Sequence, residues 1–357
     1  MPLVVTAEKM AAGGDALARL DDGRVVFVRG ALPGERVQVR LVQSRKDYAR
    51  GIAEIVLEQS DDRVDPGCAG HAAGCGGCDW IHVAPEAQAR LKVEIVREAL
   101  VRTGRLADPV VVLGGAVPAW GYRSTMRLAV AHDGRLGLRA AASHRVVALD
   151  GCPVAEPALS ALVASSRADR GADEVTLRSP GRLVVGDVEL ELSPESFSQS
   201  GPAAAALLVD TVDAALARWP RGGVFLDAYG GAGLFSATVG RAYDRVLLVE
   251  ASSSACADAR LNVPRAEVSC TPFEEWVPCP VDVAVVDPAR TGLGRAAATV
   301  VAATGVGRLV LVSCDPVAGA RDVSLLGEHG FTHVSSTVLD LFPQTHHVEV
   351  VSVLERP

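Results

Sequence analysis

The chain has 357 residues, of which 49% are apolar and 22% charged, and it carries a net charge of −8 at pH 7. That composition fits a globular protein of two or three compact units, and its charge argues weakly against a chain that coats nucleic acid, although an average can hide a local patch. No run of about 18 uninterrupted apolar residues occurs, so no membrane span is expected. The opening Met1–Met10 segment lacks the basic-then-apolar pattern of a secretory signal, which makes the cytoplasm the expected location.

Residues 1–59 read as short strands, among them Val25–Val28, Arg36–Leu41 and Gly51–Val56, separated by Gly-rich or Asp-Gly turns. A small β-barrel of the oligonucleotide-binding type fits this pattern. Seven basic residues lie between Arg24 and Arg50 (Arg24, Arg29, Arg36, Arg40, Arg45, Lys46, Arg50), opposed only by Glu35 and Asp47. The whole chain has three lysines, Lys9, Lys46 and Lys92, so its positive charge is nearly all arginine. Arginine suits bidentate phosphate contacts and stacking on bases, and the stripe points to RNA as a partner. A genome rich in G and C explains the same bias without a ligand.

Residues 60–200 read as a central α+β domain. A turn-rich stretch from Asp61 to Asp79 holds three cysteines, a helix is predicted over Pro85–Arg102, and mixed strands with one helix follow over 110–195. Arg123 and Arg127 are candidate phosphate contacts. A second helix is predicted over Ala203–Arg218, stopped by Pro220. From Gly222 onward, apolar runs at Val224–Leu226, Val246–Val249, Val281–Val286, Arg308–Val312 and Val348–Leu354 alternate with helical segments. This is the rhythm of a doubly wound parallel sheet, so residues 201–357 are expected to form an α/β Rossmann-like domain. A monomer is expected.

Eight cysteines without an export signal favour metal or catalytic roles over structural disulfides. Cys68-x6-Cys75-x2-Cys78, with Cys152 in Asp150-Gly151-Cys152-Pro153, can supply four thiolates to zinc or to a four-iron, four-sulfur cluster, and spacing alone leaves both open. Cys256, Cys270 and Cys279 show no partner spacing, and His71 and His82 are read as exposed.

Phe225 to Ser236 reads as a strand, a Gly-rich turn and a helix start. Its glycines let the backbone approach a ligand at the strand's carboxyl end, and Glu250 ends the next strand, where an acid can accept from ribose hydroxyls. A nicotinamide dinucleotide competes for such a turn. The pattern, however, is D-x-x-x-G-x-G with Asp227 closing the strand, rather than G-x-G-x-x-G, and S-adenosylmethionine fits better. Cys314, in Val312-Ser313-Cys314-Asp315-Pro316, follows an apolar strand and so faces the crevice where a thiolate acts as nucleophile; a buried inert thiol is the ordinary alternative. Glu349 opens the last strand and is either a general base or an ordinary strand-start acid. Asp287-Pro288-Ala289-Arg290 lacks the second proline and aromatic ring usual in amino-group methyltransferases, which argues against that chemistry. Asp287 can bond a base or the cofactor, and Arg290 a phosphate.

Taken together, these motifs resemble the RNA uracil-5 methyltransferase family that acts on 23S ribosomal RNA and transfer RNA. The resemblance spans nearly the whole chain. It rests on a TRAM-like start (Gly14 through Glu35), the cysteine set, F-x-Q at Phe197–Gln199, D-x-Y-x-G at Asp227–Gly231, D-P-A-R at Asp287, S-C-D-P at Ser313 and H-V-E at His347. It implies that Gln199, Tyr229, Glu250 and Asp287 bind S-adenosylmethionine, and that Cys68, Cys75, Cys78 and Cys152 hold a 4Fe–4S cluster. It further implies that Cys314 attacks carbon 6 of a uridine flipped out of its stack while Glu349 acts as base. The TRAM-like start favours 23S ribosomal RNA over transfer RNA. Departures are Gly230 and Leu234, where the family often has Cys and Asn, and Gly201, where it often has Asn. Two other readings stand beside this one: a non-catalytic RNA-binding protein with the same fold, and an RNA cytosine-5 methyltransferase suggested by Pro278-Cys279, whose thiol precedes its strand rather than following it.

Overall fold

The computed structural model describes residues 3–168, 172–179 and 183–357. Its contacts form two compact units that are discontinuous in sequence: Met1–Ile95, Pro118–Ser179 and Phe342–His347 make the first, while Val96–Val117, Pro180–Leu341 and Val348–Pro357 make the second.

In the first unit, β1 (Leu3–Met10), β2 (Ala16–Arg19), β3 (Val25–Arg29), β4 (Arg36–Ser44) and β5 (Tyr48–Glu58) close into a barrel in the order β1-β2-β3-β5-β4. Strand alternation sends Val26, Val28, Val37 and Val39 inward, while Arg29, Arg36 and Arg40 point to solvent. Glu35, one of the two acids set against the basic stripe, is fully buried, where it accepts from the Leu32 amide (2.8 Å) and pairs with Arg63. A short helix α1 (Ala69–Ala72) sits in the cysteine-rich stretch, and α2 (Pro85–Arg102) takes the predicted bounds. Trp80 is buried in the barrel core and donates through Nε1 to Gly14 O (2.9 Å). Residues 342–347 return to this unit, where the Gln344 amide donates to Gln88 Oε1 (2.7 Å). Past β6 (Val111–Ala116), which belongs to the second unit, come β7 (Thr125–Val130), β8 (Leu136–Arg139), β9 (Val146–Ala148), α3 (Pro157–Ser165) and β10 (Glu174–Arg178). Their strands form an antiparallel sheet in the order β10-β7-β8-β9.

The second unit opens with a hairpin of β11 (Leu183–Val185) and β12 (Val188–Leu190), followed by α4 (Pro202–Leu216). Next come β13 (Val224–Ala228), α5 (Leu234–Ala237), β14 (Arg245–Glu250), α6 (Ser253–Asn262), β15 (Glu267–Cys270), β16 (Val283–Val286), α7 (Gly294–Ala303), β17 (Arg308–Ser313), α8 (Pro316–Glu328), β18 (Thr332–Asp340) and β19 (Glu349–Glu355). One eight-stranded sheet results, ordered β15-β14-β13-β16-β17-β19-β18-β6. From β15 to β17 the strands are parallel, and Val283 to Val286 are wholly buried, as covering on both faces demands. The sheet is not parallel throughout, as the sequence rhythm suggested. β19 lies antiparallel between β17 and β18, because residues 341–348 are too short a link for the crossover of about a dozen residues or more that a parallel return requires. Strand order reverses at β13, with β14 on one side and β16 on the other, which opens a crevice at their carboxyl ends. Among the described residues, no helix is long and apolar enough to cross a membrane.

Candidate active site

β13 delivers Asp227 and then turns sharply through three left-handed residues, Tyr229 (φ 61°), Gly231 (φ 55°) and Gly233 (φ 93°). Such a turn strains Tyr229, the one non-glycine among the three, and strain of this kind collects at ligand sites. Asp227 is fully buried; its Oδ2 accepts from the Ser236 amide (2.9 Å) and hydroxyl (2.6 Å), while its Oδ1 has no partner. Loss of solvent pushes this carboxyl up to about 6 against the two bonds from Ser236, and the charge of Glu250 adds to the push. Gln199 is buried with its Oε1 also unpartnered. Gln199, Tyr229 and Asp287 line one cavity of ≈ 70 Å³, partly open to solvent, together with Phe197 and the glycine turn. Two orphaned buried acceptors beside a backbone that approaches closely suit a ligand bringing donors and positive charge. Glu250 ends β14, where its two oxygens accept from the Gly231 (3.0 Å) and Ser252 (2.7 Å) amides and so fix its orientation. Tyr229 packs on Phe273 (5.2 Å between rings) and donates to Glu274 (2.9 Å). Phe273 and Glu274 escaped the sequence reading; an aromatic–acid pair just past a strand end was the only signal.

Cys314 follows β17 directly and is half-buried, whereas Glu349 is the first residue of β19 and only 4% exposed. Ser313 lies opposite Val350 in the antiparallel ladder, which sets Cys314 level with Glu349 on neighbouring strands. Asp287 follows β16, the strand on the other side of β17. Burial, then Glu349 and Asp287, push the thiol up to about 11, and Arg290 works against them. Burial and Asp287 hold Glu349 well above the carboxylate range. Asp287 itself is pushed up to about 7, by lost solvent and then by Asp227. Asp315 caps α8, accepting from the Val317 (3.0 Å) and Ala318 (2.9 Å) amides ahead of Pro316 in the first turn, which gives the S-C-D-P motif a helix-start role beside the thiol.

In the first unit, Cys68, Cys75, Cys78 and Cys152 line one cavity of ≈ 30 Å³, partly open. Burial pushes Cys78 up to about 12, and the charge of Cys152 adds to it. Gly77 sits so close that a Cβ there would lie 2.5 Å from Leu138 Cδ1 and 3.5 Å from Cys75 Sγ. The metal-ligating geometry expected of this set is not formed: among the described residues, no three His, Cys, Asp or Glu side chains make a group that could hold a metal ion. His82 is buried rather than exposed, with Nε2 unpartnered. The arginine stripe is less free than its count suggested, since Arg24, Arg29, Arg36, Arg40 and Arg50 all pair with acids. Arg29 and Arg50 share Asp15, and all three line a cleft of ≈ 540 Å³ together with Arg63, His71 and His346. Arg127 pairs with Glu174, and Arg123 stacks over Tyr122 (5.7 Å). Cys256 and Cys270, read as unpartnered, come together: the Cys256 thiol bonds to Glu250 O (3.3 Å), and burial and Cys270 push it up to about 12.

A 23S rRNA (uracil(1939)-C(5))-methyltransferase of Halomonas elongata is 31% identical over 98% of this chain and 88% of its own length. The chain belongs to the RNA uracil-5 methyltransferase family. An uncharacterized RNA methyltransferase of Streptomyces avermitilis is 33% identical over 97% of this family member and 96% of its own length. Residues 3–53 match the TRAM domain, which places that module on the β1–β5 barrel. The crystal structure of a Pyrococcus abyssi tRNA (uracil-54, C5)-methyltransferase in complex with S-adenosyl-L-homocysteine superposes with a TM-score of 0.74 at 22% identity, covering 99% of this chain and 100% of that one, which shows a shared fold.

Proposed function

We propose that the protein methylates carbon 5 of a uridine in structured RNA, with 23S ribosomal RNA favoured over transfer RNA, by way of a covalent Cys314–carbon 6 adduct. The observation that carries this reading is the placement of Cys314, just past β17, level with Glu349 at the start of the antiparallel β19, with Asp287 acting on the thiol and lining the cavity that Gln199 and Tyr229 share. When bound, S-adenosylmethionine supplies an electrophilic methyl group on a sulfonium; Gln199, Tyr229, Glu250 and Asp287 are the residues proposed to hold it. The Cys314 thiolate adds to carbon 6 of the uracil, and the ring becomes an enolate whose electron density makes carbon 5 a nucleophile. Glu349 as carboxylate then takes the carbon-5 proton, and the thiolate leaves to restore the ring. Arg290 is the cation that opposes the acids around the thiol. Because the target base has to reach Cys314, it is unstacked and flipped. The cleft lined by Arg29, Arg50 and Arg63 suits an RNA backbone.

For Cys68, Cys75, Cys78 and Cys152 we propose a 4Fe–4S cluster, held in the first unit as a structural element. Four soft thiols lining one cavity, together with the family resemblance, support it. The protein is proposed to act as a cytoplasmic monomer.

The deciding experiment is methyl transfer from labelled S-adenosylmethionine to unmodified ribosomal and transfer RNA, using anaerobically purified protein and nucleoside analysis of the product. Cys314→Ala is expected to bind RNA and cofactor but form no 5-methyluridine. Glu349→Gln is expected to accumulate a denaturation-resistant protein–RNA adduct, because the methylated adduct keeps its carbon-5 proton. Methylation by Cys314→Ala, or label appearing in cytosine, would sink the reading. Iron and acid-labile sulfide measured on the same preparation test the cluster, and zinc in their place overturns it.

A further inference from the structure

Helix α8 ties together two loops of the active site. Its first residue follows the Asp315 cap, one position past Cys314. One turn on, Gly319 lies so close to the end of β17 that a Cβ there would be 2.8 Å from Ser313 Cβ and Oγ. Asp322 comes next on the same face, at the i, i+4, i+7 spacing from Asp315. It is fully buried and reaches the loop after β16: Oδ2 accepts from the Leu293 amide (2.6 Å) and Oδ1 from the Gly294 amide (3.0 Å). Arg321 completes the clamp, donating to Thr291 O (2.7 Å) and to Asp322 Oδ1 (2.8 Å). The loop is shaped for it. Gly292 has φ 79°, and a Cβ there would stand 2.2 Å from Asp322 Oδ2, so a side chain at 292 and the clamp exclude one another. Arg290 is one residue before the anchored Thr291 carbonyl. β16 and β17, which lead into the loop and into Cys314, are parallel neighbours with Val286 opposite Leu311.

We propose that Arg321 and Asp322 are positioning residues that set the Asp287–Gly294 loop, and Arg290 with it, against Cys314. The inference rests on the reading of Cys314 as nucleophile. The charged groups acting on the thiol are Glu349 from β19, Asp287 at the end of β16, where its amide donates to Ala228 O (3.1 Å), and Arg290 from the clamped loop; of these only Arg290 is a cation. A loop released from α8 takes that cation away and leaves the acids on strand ends where the sheet holds them. The clamp therefore acts on how readily Cys314 ionises, and a role confined to holding the fold does not.

The test uses the full chain and follows alkylation of the Cys314-containing peptide by iodoacetamide against pH, together with kcat and KM for methyl transfer. Asp322→Asn keeps the volume but turns a donor toward one of the two amides. It is expected to lower kcat on the order of tenfold or more while KM for S-adenosylmethionine stays within about twofold. It also moves the alkylation midpoint of Cys314 upward by about half a pH unit or more. Arg321→Ala, at a side chain 46% exposed and safe for folding, is expected to shift both readouts the same way to a smaller extent. Wild-type alkylation profiles and kcat in Arg321→Ala and in any folded Asp322→Asn overturn the proposal. Methylation by Cys314→Ala instead overturns the nucleophile reading beneath it.

Discussion

Three acids that stand at one end of the sheet, Asp227, Asp287 and Glu349, are all held above the ordinary carboxylate range, first by burial and then by a neighbouring acid: Glu250 for Asp227, Asp227 for Asp287 and Asp287 for Glu349. Each has a raised value in the folded chain, so ionisation costs stability. The cost sets in as pH rises past the ordinary carboxylate range, and for Asp287 it is complete above about 7. Removing one ionisable group relieves it. Glu349→Gln is expected to raise Tm at pH 8 but not at pH 4, at roughly 2–4 °C per kcal/mol relieved in a unit of this size; an equal Tm change at both pH values would refute the linkage. The same acids make a cationic ligand welcome. The strand-end placement of Cys314 and Glu349 was legible in the sequence, because apolar runs mark where the strands of an α/β sheet begin and end. Asp322 was not legible: its task is to cap a loop 28 residues earlier in sequence at Gly294, and nothing in the local pattern announces that. The Cys256–Cys270 contact was hidden for the same reason, since it joins a helix to a strand end.

Among the elements, α2 was read at its true bounds because its signals are local: a proline at the start and good helix formers throughout. The direction of β19 was not legible, since an apolar run looks alike in either orientation and only the short 341–348 link fixes it. The cofactor turn shows how packing decides a departure from the family pattern. Gly230 stands where the family often has cysteine, and a Cβ there would lie 2.6 Å from Leu248 Cγ and 3.0 Å from Asp227 Cγ. Gly230→Ala is expected to destabilise the second unit by about 1–3 kcal/mol and to weaken S-adenosylmethionine binding, with RNA affinity unchanged. Calorimetric titration with cofactor and filter binding with RNA check both halves, and undiminished cofactor affinity would show that Leu248 yields at no cost.

At the scale of the molecule, a net charge of −8 coexists with RNA as the proposed partner because seven basic residues fall in the single stretch Arg24–Arg50 of the first unit's barrel, opposed there only by Glu35 and Asp47. Their partners temper them. Asp15 engages Arg29 (3.9 Å) and Arg50 (3.1 Å) on the cleft wall, and exposed pairs of this kind contribute little to stability. Asp15→Asn is therefore expected to leave Tm nearly unchanged, to tighten RNA binding, and to steepen the dependence of log affinity on log salt by up to about two phosphate contacts' worth. A weaker, or equally salt-dependent, variant would mean that Arg29 and Arg50 do not meet phosphate. The barrel's existence was plain from alternation and turns, whereas the pairing of its arginines was not, because each acid comes from another strand or turn.

Glu349 and the segment 342–347 carry a consequence for how the protein is made. β19 is inserted between β17 and β18, and β6, near the start of the second unit, pairs only with β18. Synthesis runs from the amino end, so the barrel can close on the ribosome while the sheet still has a gap where β19 belongs. Residues 342–347, which bond to Gln88 in the first unit, emerge just before that strand. Both units are thus completed by the same late stretch of chain. A ribosome stalled before residue 342 would hold a closed barrel but Cys314 without Glu349 beside it, and the crevice of the second unit would be completed only as the last strand is released.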